Sequence, residues 1–136
     1  MKKLFNPIKD KSGEIIECLM SSPDMPTDED LRFKLRLSIE ETVENVVQYA
    51  YKDSIGWMEV ETNLDEKGFL LTVTLKDAGK KFNPLEMPDP DVNLPLEERE
   101  IGGLGIFLCK QFMDEVEYHY EDGCNILTMK KNIAKQ

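Results

Sequence analysis

The chain has 136 residues, of which 40% are hydrophobic and 32% are charged, and its formal net charge is −10. This composition is typical of a folded globular protein and excludes a disordered chain, so we expect residues 1–136 to form a single domain. The negative charge opposes a nucleic-acid backbone, and we therefore expect no direct binding to DNA or RNA.

Cysteine usage and the lack of long apolar segments predict a protein of the cytoplasm. Cys18, Cys109 and Cys124 are far apart and show no C-x-x-C spacing, so we expect neither a disulfide framework nor a zinc site. The N-terminal stretch MKKLFNPIKDKSG is basic but lacks the apolar centre of a signal peptide. The longest apolar runs are only a few residues, so we expect no membrane span.

Two helices are predicted in the first part of the chain. The first covers roughly Ile8–Met20, and SSPDMP at residues 21–26 separates it from the second. The second helix is expected to open at Thr27, which together with Asp30 resembles a capping box. Apolar residues then recur at helical spacing, at positions 31, 35, 39, 43, 46, 47 and 50.

After the second helix the hydrophobic period changes to two. WMEVETNL and FLLTVTLKD flank the turn DEKG and predict a hairpin, and EVEYHY and CNILTMKK flank EDG and predict another. Between the hairpins, a helix is expected with Leu104, Leu108 and Phe112 on one face. The pattern predicts an α+β two-layer sandwich whose sheet is antiparallel or mixed and mostly antiparallel, with helices on one face.

The segment between the first hairpin and this third helix has no clear period. Residues 83–101 contain four prolines and six acidic residues. An irregular segment of this length inside a compact domain is typically functional or mobile. We therefore expect one of these two roles for it.

The first candidate cluster lies on the second helix, in LSIEETVENVVQYAY. Glu41 and Asn45 are four residues apart and share one helix face, with Ser38 and Gln48 along the same strip. One interpretation is a solvated helix edge. The other is a site in which the Asn carbonyl binds Mg²⁺ and the carboxylate accepts a proton from a hydroxyl or a water.

The second candidate cluster, LKDAGKKF, closes the first hairpin. Asp77 directly follows an apolar strand, and its carboxylate could accept a hydrogen bond from an exocyclic amine. Gly79 has no side chain and would let a flat ring lie against the backbone. A simple Asp-Ala-Gly turn is the alternative.

The third candidate cluster is the glycine-rich stretch in EREIGGLGIFLCKQFMDEV. Gly102, Gly103 and Gly105 stand at the start of the third helix, where amide groups and the helix dipole suit an anion. The stretch lacks the Lys-Ser/Thr of a P-loop. A glycine turn before a buried helix is the alternative.

The order of these clusters resembles the GHKL superfamily of ATP-binding domains. A helix with E-x-x-x-N, a strand ending in D-x-G-x-x-F, an acidic proline-rich segment and G-x-G before a helix follow one another over about residues 27–132. Within the superfamily, EETVENVVQYAY, DAGKKFNP and GGLGIFLCKQFMDEVEY are most similar to the bacterial anti-sigma factor serine kinases of partner-switching systems. The resemblance implies the Bergerat ATP-binding fold.

The resemblance also implies roles for individual residues. Asn45 would hold Mg²⁺ against the phosphates of ATP, and Glu41 would be the base for the attacking hydroxyl. Asp77 would bind the adenine amino group, and Gly79 would allow the ring to approach. Residues 83–101 would be the ATP lid. The phosphate loop would consist of Gly102, Gly103, Leu104 and Gly105.

Three features depart from the family pattern. The second glycine of the D-x-G-x-G box is Lys81 here, and Arg99 stands near the place where the family often has an arginine before the glycine pair. The expected N-terminal strand is short, about Lys2–Phe5. This strand contributes to dimers in some relatives, so a homodimer stays open.

The function implied by the resemblance is an ATP- and Mg²⁺-dependent serine kinase. It would phosphorylate an anti-anti-sigma (STAS-type) protein and could also bind a sigma factor. The alternative is a non-enzymatic module in which ATP only sets lid conformation and partner affinity. Glu41 favours the kinase, because a pure sensor needs no base. Asp77, Gly79 and Asn45 argue against a third alternative, a domain that has lost ATP.

Overall fold

The computed structural model describes residues 1–53, 55–86 and 103–134. Along these residues the elements follow one another as β1 (Lys2–Phe5), α1 (Ser12–Met20), α2 (Glu29–Tyr49), β2 (Met58–Leu64), β3 (Leu70–Asp77), a 3-10 turn (Pro84–Glu86), α3 (Gly103–Phe112), β4 (Glu115–Glu121) and β5 (Cys124–Asn132). Within the described ranges, no helix is both long enough and apolar enough to cross a membrane.

The five strands form one sheet in the order β1-β2-β3-β5-β4, and every pairing among them is antiparallel. Both predicted hairpins are confirmed. In the β4–β5 turn, Asp122 and Gly123 have φ values of 52° and 77°, as a two-residue hairpin loop requires. Strand β3 lies between β2 and β5, so the strand that ends in Asp77 is hydrogen-bonded along both edges.

The core lies between one face of the sheet and the helices. Helix α2 contributes Leu35, Ile39 and Val43, all at most 1% exposed, which confirms its predicted helical period. Because the sheet buries only one face, inward and outward residues alternate along its strands. The inward residues that meet the helices include Met58, Val60, Leu71, Val73, Leu75 and Met129.

Two predicted helix starts are wrong. Helix α1 begins at Ser12 rather than Ile8, because Asp10 has a φ of 60°, which a right-handed helix cannot contain. Helix α2 begins at Glu29 rather than Thr27. Its N-cap is Asp28, whose carboxylate accepts the Leu31 N–H at 2.9 Å, so the predicted Thr27–Asp30 capping box is not used.

The buried face of helix α3 lies next to the face that the sequence predicted. Ile106, Cys109 and Met113 are buried, whereas Leu108 and Phe112 are half-buried. Of the predicted lid, only residues 83–86 are described, and they include the 3-10 turn. Residues 87–101, with Arg99, and Gly102 lie outside the described residues.

Candidate active site

A cavity lies between the C-terminal half of α2 and the ends of β3 and β5. It has room for about one water molecule, about 20 Å³, so the lining side chains must move apart before a purine base can enter. Its lining combines apolar side chains with a few polar groups, as ligand sites do. The lining residues are Thr42, Asn45, Val46, Ala50, Leu75, Asp77, Lys80, Phe82, Pro84, Tyr118, Asn125 and Leu127.

Asp77 places a buried carboxylate in this cavity. It is the last residue of β3, and the two-residue period that buries Leu75 turns its side chain inward, leaving it 3% exposed. Its Oδ1 accepts hydrogen bonds from the Gly79 N–H and from Asn125 Nδ2, both at 2.9 Å. Burial raises the pKa of Asp77, although these two donors lower it. No described residue donates to Oδ2, which can therefore accept a hydrogen bond from a ligand.

Asn125 holds Asp77 and the loop after it together, and the sequence analysis missed it. Its Nδ2 also donates to the Lys80 carbonyl at 2.9 Å. Its Oδ1 accepts from the Phe82 N–H at 3.0 Å and from the Tyr118 hydroxyl at 2.5 Å. A signal for it existed, because Asn125 is a polar residue at a buried position of a strand whose other buried positions are apolar.

Gly79 lies directly against the end of α2. A Cβ atom at this position would overlap the backbone carbonyl of Ala50, and the Lys80 N–H donates to the same carbonyl oxygen at 2.7 Å. The sequence predicted that Gly79 lets a flat ring approach. The structure adds a separate requirement for glycine, since no other residue fits between this loop and the helix backbone.

Asn45 brings an unpartnered amide to the cavity. The residue is 9% exposed. Among the described residues, its Nδ2 is the one buried side-chain nitrogen or oxygen atom that makes no hydrogen bond. Leaving such a group unpaired costs about 1–3 kcal/mol, which marks a place where a ligand could supply the partner. A half-turn of the amide would present Oδ1 at the same place, so either a phosphate oxygen or a cation fits here.

Glu41 lies one helical turn before Asn45 and reaches the start of α3. Its carboxylate is in direct contact with the backbone at Gly105, where a Cβ atom would overlap it. Burial raises the pKa of Glu41, and the neighbouring charges of Glu40 and Glu44 raise it further. The carboxylate is therefore a better proton acceptor than an ordinary exposed glutamate.

The predicted phosphate loop is described only in part. Helix α3 begins at Gly103, and Leu104 and Gly105 follow in its first turn. The first N–H groups of a helix have no carbonyl partner within the helix and suit an anion. The contact between Gly105 and Glu41 places this turn beside the candidate base.

A divalent cation at this site would depend on the substrate for most of its ligands. In the part of the chain that the structure describes, no three His, Cys, Asp or Glu side chains cluster as a metal cage. Mg²⁺ commonly keeps several waters and binds one or two protein groups together with substrate phosphates. The Asn45 amide fits this arrangement.

Residues 15–131 match the histidine kinase-like ATPase domain family. The chain belongs to this family. It is 29% identical over 100 residues to the serine-protein kinase RsbW of Bacillus mycoides, and 29% identical over 98 residues to RsbW of Bacillus cereus. Each alignment covers 71% of this chain and 61% of the relative, so the chain spans about three-fifths of the length of the curated relatives it matches.

Several solved structures share the fold. The RsbU and RsbW domains of a Mycobacterium tuberculosis protein match 97% of this chain with a TM-score of 0.64 at 14% identity, over 32% of that chain. The histidine kinase domain of a blue-light activated kinase from Erythrobacter litoralis matches 96% with a TM-score of 0.63 at 16% identity, over 63% of that chain. The predicted fold class and the resemblance to the GHKL superfamily are confirmed.

Proposed function

We propose that the chain binds Mg-ATP in this cavity and transfers the γ-phosphoryl group to a serine of a partner protein. The observation that supports this most is the pairing of two buried groups in one cavity of the ATPase-domain fold. Asp77 offers a carboxylate oxygen that no described residue occupies, and Asn45 offers an unpartnered amide. The Asn45 amide adds most to this support, because buried polar groups in folded proteins are normally hydrogen-bonded and this nitrogen makes no hydrogen bond.

The adenine base would bind at the Asp77 end of the cavity. The Oδ2 atom of Asp77 would accept a hydrogen bond from the 6-amino group, while Oδ1 stays bonded to Gly79 and Asn125. The apolar side chains of Val46 and Leu127 would contact the faces of the ring. This arrangement favours adenine over a base that presents an acceptor at the same position, because two acceptors would face each other without a proton.

The phosphates would extend from there along α2 towards α3. The first-turn N–H groups of α3 would donate hydrogen bonds to phosphate oxygens. The Asn45 side chain would hold the magnesium ion, which would neutralise phosphate charge. The serine hydroxyl would attack the γ-phosphorus, the bond to the bridging oxygen of ADP would break, and Glu41 would accept the hydroxyl proton. The raised pKa of Glu41 suits this role.

We further propose that the acceptor is a STAS-type anti-anti-sigma protein and that a sigma factor is a second partner. The relatives named serine-protein kinase RsbW support serine as the acceptor. A net charge of −10 also favours a protein partner over a nucleic acid. A place in the cytoplasm is part of the proposal, whereas the choice between a monomer and a homodimer stays open.

The test is to capture partners with and without Mg-ATP and to follow single-turnover transfer from labelled ATP to the captured protein. Glu41→Gln should slow transfer by ~10²–10⁴ with little change in ATP affinity, because the amide keeps the size but cannot accept the proton. Glu44→Gln is the matched control, since Glu44 is an exposed acid on the same helix, and it should transfer near the parental rate. Asn45→Ala should weaken both ATP binding and transfer.

Two results would change the proposal. Transfer by Glu41→Gln at the parental rate would show that Glu41 is not the base. A parental protein that transfers no phosphate but binds its partner only with ATP would favour the non-enzymatic, nucleotide-gated module.

A further inference from the structure

The β2–β3 ladder has an unusual end next to Asp77. The Asp65 N–H donates to the Leu70 carbonyl at 3.1 Å, so these two residues form a hydrogen-bonded pair. In an antiparallel ladder every second pair is of this kind. By the same alternation, Met58 and Asp77 are a non-hydrogen-bonded pair, and Trp57 and Ala78, one step further along the register, would be a hydrogen-bonded pair. A direct bond between the Ala78 N–H and the Trp57 carbonyl is therefore expected there.

The hydroxyl group of Tyr51 occupies the place of that bond. The Ala78 N–H donates to the Tyr51 hydroxyl at 2.9 Å, and the hydroxyl donates to the Trp57 carbonyl at 2.8 Å. Both backbone groups are satisfied, but through an inserted oxygen atom. The two strands are thus held apart at this position, and the regular ladder stops at Asp77.

The position of the hydroxyl is fixed from the other side by Gly56. A Cβ atom at Gly56 would overlap the ring of Tyr51, so the ring lies directly on this backbone. On the far side of Ala78, the chain turns to α2, where the Lys80 N–H bonds to the Ala50 carbonyl. Tyr51 therefore sets how the chain leaves the sheet between Asp77 and Gly79.

We propose that Tyr51 is a positioning residue for adenine recognition, a proposal that rests on the nucleotide site proposed above. Tyr51 is not among the residues that line the cavity. It acts by keeping Ala78 away from β2, which fixes the backbone next to Asp77 and thereby the exact position of its inward-facing carboxylate in the cavity. Without the hydroxyl, Ala78 and Trp57 can bond directly, which extends the ladder by one pair and draws the backbone beside Asp77 towards β2.

The test compares two nucleotides that differ only at the amino group that Asp77 would recognise. The dissociation constants of ATP and of purine riboside triphosphate, which is ATP without its 6-amino group, are measured for the parent and for Tyr51→Phe. The parent should prefer ATP by about tenfold or more, as one hydrogen bond to a charged group predicts. Tyr51→Phe should lower this preference towards one, mainly through weaker ATP binding.

The control is Tyr49→Phe, the same change two residues earlier, at the last residue of α2. No described residue hydrogen bonds with the Tyr49 hydroxyl, and its ring contact with Phe82 survives the substitution. This variant should keep the parental preference for ATP.

The possible outcomes separate the two proposals. If the parent binds both nucleotides equally, the role of Asp77 fails, and the role of Tyr51 fails with it. If the parent prefers ATP and Tyr51→Phe keeps the parental ratio, or loses affinity for both nucleotides equally, only the Tyr51 proposal is overturned. Gly56→Ala gives a second route, because its Cβ must displace the ring of Tyr51. It should lower the same ratio while retaining the hydroxyl.

Discussion

Replacing Asp77 by asparagine separates the binding role of this residue from its structural role. The amide oxygen of Asn can still accept the two hydrogen bonds that Oδ1 accepts from Gly79 and Asn125. The change is confined to the other oxygen, which becomes an NH₂ group. In the proposed complex this donor would face the 6-amino group of adenine, itself a donor, and no hydrogen bond could form.

The expected loss of affinity follows from the hydrogen bond that is removed. A hydrogen bond to a charged group is worth about 1.5–3 kcal/mol, so the dissociation constant of ATP should rise by about 10- to 150-fold. Ligand at 100 times the parental constant stabilises the parent by about 2.7 kcal/mol. After a 100-fold loss of affinity the same concentration stabilises the variant by only about 0.4 kcal/mol.

The free variant should be as stable as the parent at neutral pH, or more stable. Burial holds the pKa of Asp77 above the ordinary aspartate value, so the folded state binds its proton more tightly than the unfolded state does. The parent therefore loses stability as the pH rises through the raised pKa, and gains it as the pH falls. The uncharged amide introduced by Asp77→Asn does not titrate, so the advantage of the variant should shrink on acidification.

Thermal melting with and without Mg-ATP measures both effects. At about 4 °C per kcal/mol for a chain of this size, the parent should shift by about 10 °C and the variant by about 1–2 °C. If the variant shows the same shift in melting temperature as the parent, Asp77 does not bind the adenine ring. A variant that melts far below the parent without ligand would refute the argument that its hydrogen bonds survive.

Three further outcomes follow from the same geometry. In a urea titration, Gly79→Ala should lower the unfolding free energy by about 1–3 kcal/mol, because its Cβ meets the Ala50 backbone. The control Gly13→Ala, whose Cβ in α1 meets nothing, should be neutral or stabilising. Gly105→Ala should keep the parental melting temperature but slow phosphoryl transfer, because the atoms nearest to its Cβ belong to the flexible Glu41 side chain, which must move. An unchanged rate would contradict the assignment of Glu41 as the catalytic base. As the pH is lowered, the single-turnover rate of the parent should begin to fall at a higher pH than an ordinary glutamate would give, because the pKa of Glu41 is raised. Glu41→Gln should show no such fall.

The elements of this fold could be predicted because each one repeats a simple period. Seven apolar positions marked α2, and alternation marked the two hairpins. The starts of α1 and α2 were less predictable, since they depend on one left-handed residue, Asp10, and on a choice between two capping side chains, Thr27 and Asp28. Such local competition leaves no trace in the hydrophobic pattern.

The sequence could predict only those residues of the candidate site whose type and motif indicate a chemical role. Asp77 and Asn45 could be proposed from their motifs, and the structure brings both to one cavity. Tyr51 could not, because its partners Trp57 and Ala78 depend on the register between β2 and β3. Periodicity predicts that two strands pair, but a hydroxyl inserted at the end of their ladder is a tertiary contact.

Helix α2 explains why three separate motifs can serve one ligand. Its C-cap residue Ala50 touches Gly79 at the proposed adenine end of the site, and Glu41 touches Gly105 at the start of α3. Ala50 comes nine positions after Glu41, which at 1.5 Å per residue is about 13.5 Å, comparable with the length of an extended nucleoside triphosphate. One rigid helix therefore sets the distance between Glu41, the proposed catalytic base, and the loop at Gly79 that would bind adenine. Since one residue corresponds to about 100° of rotation, the four-residue spacing from Glu41 to Asn45 is what keeps both on the side of α2 that faces the site.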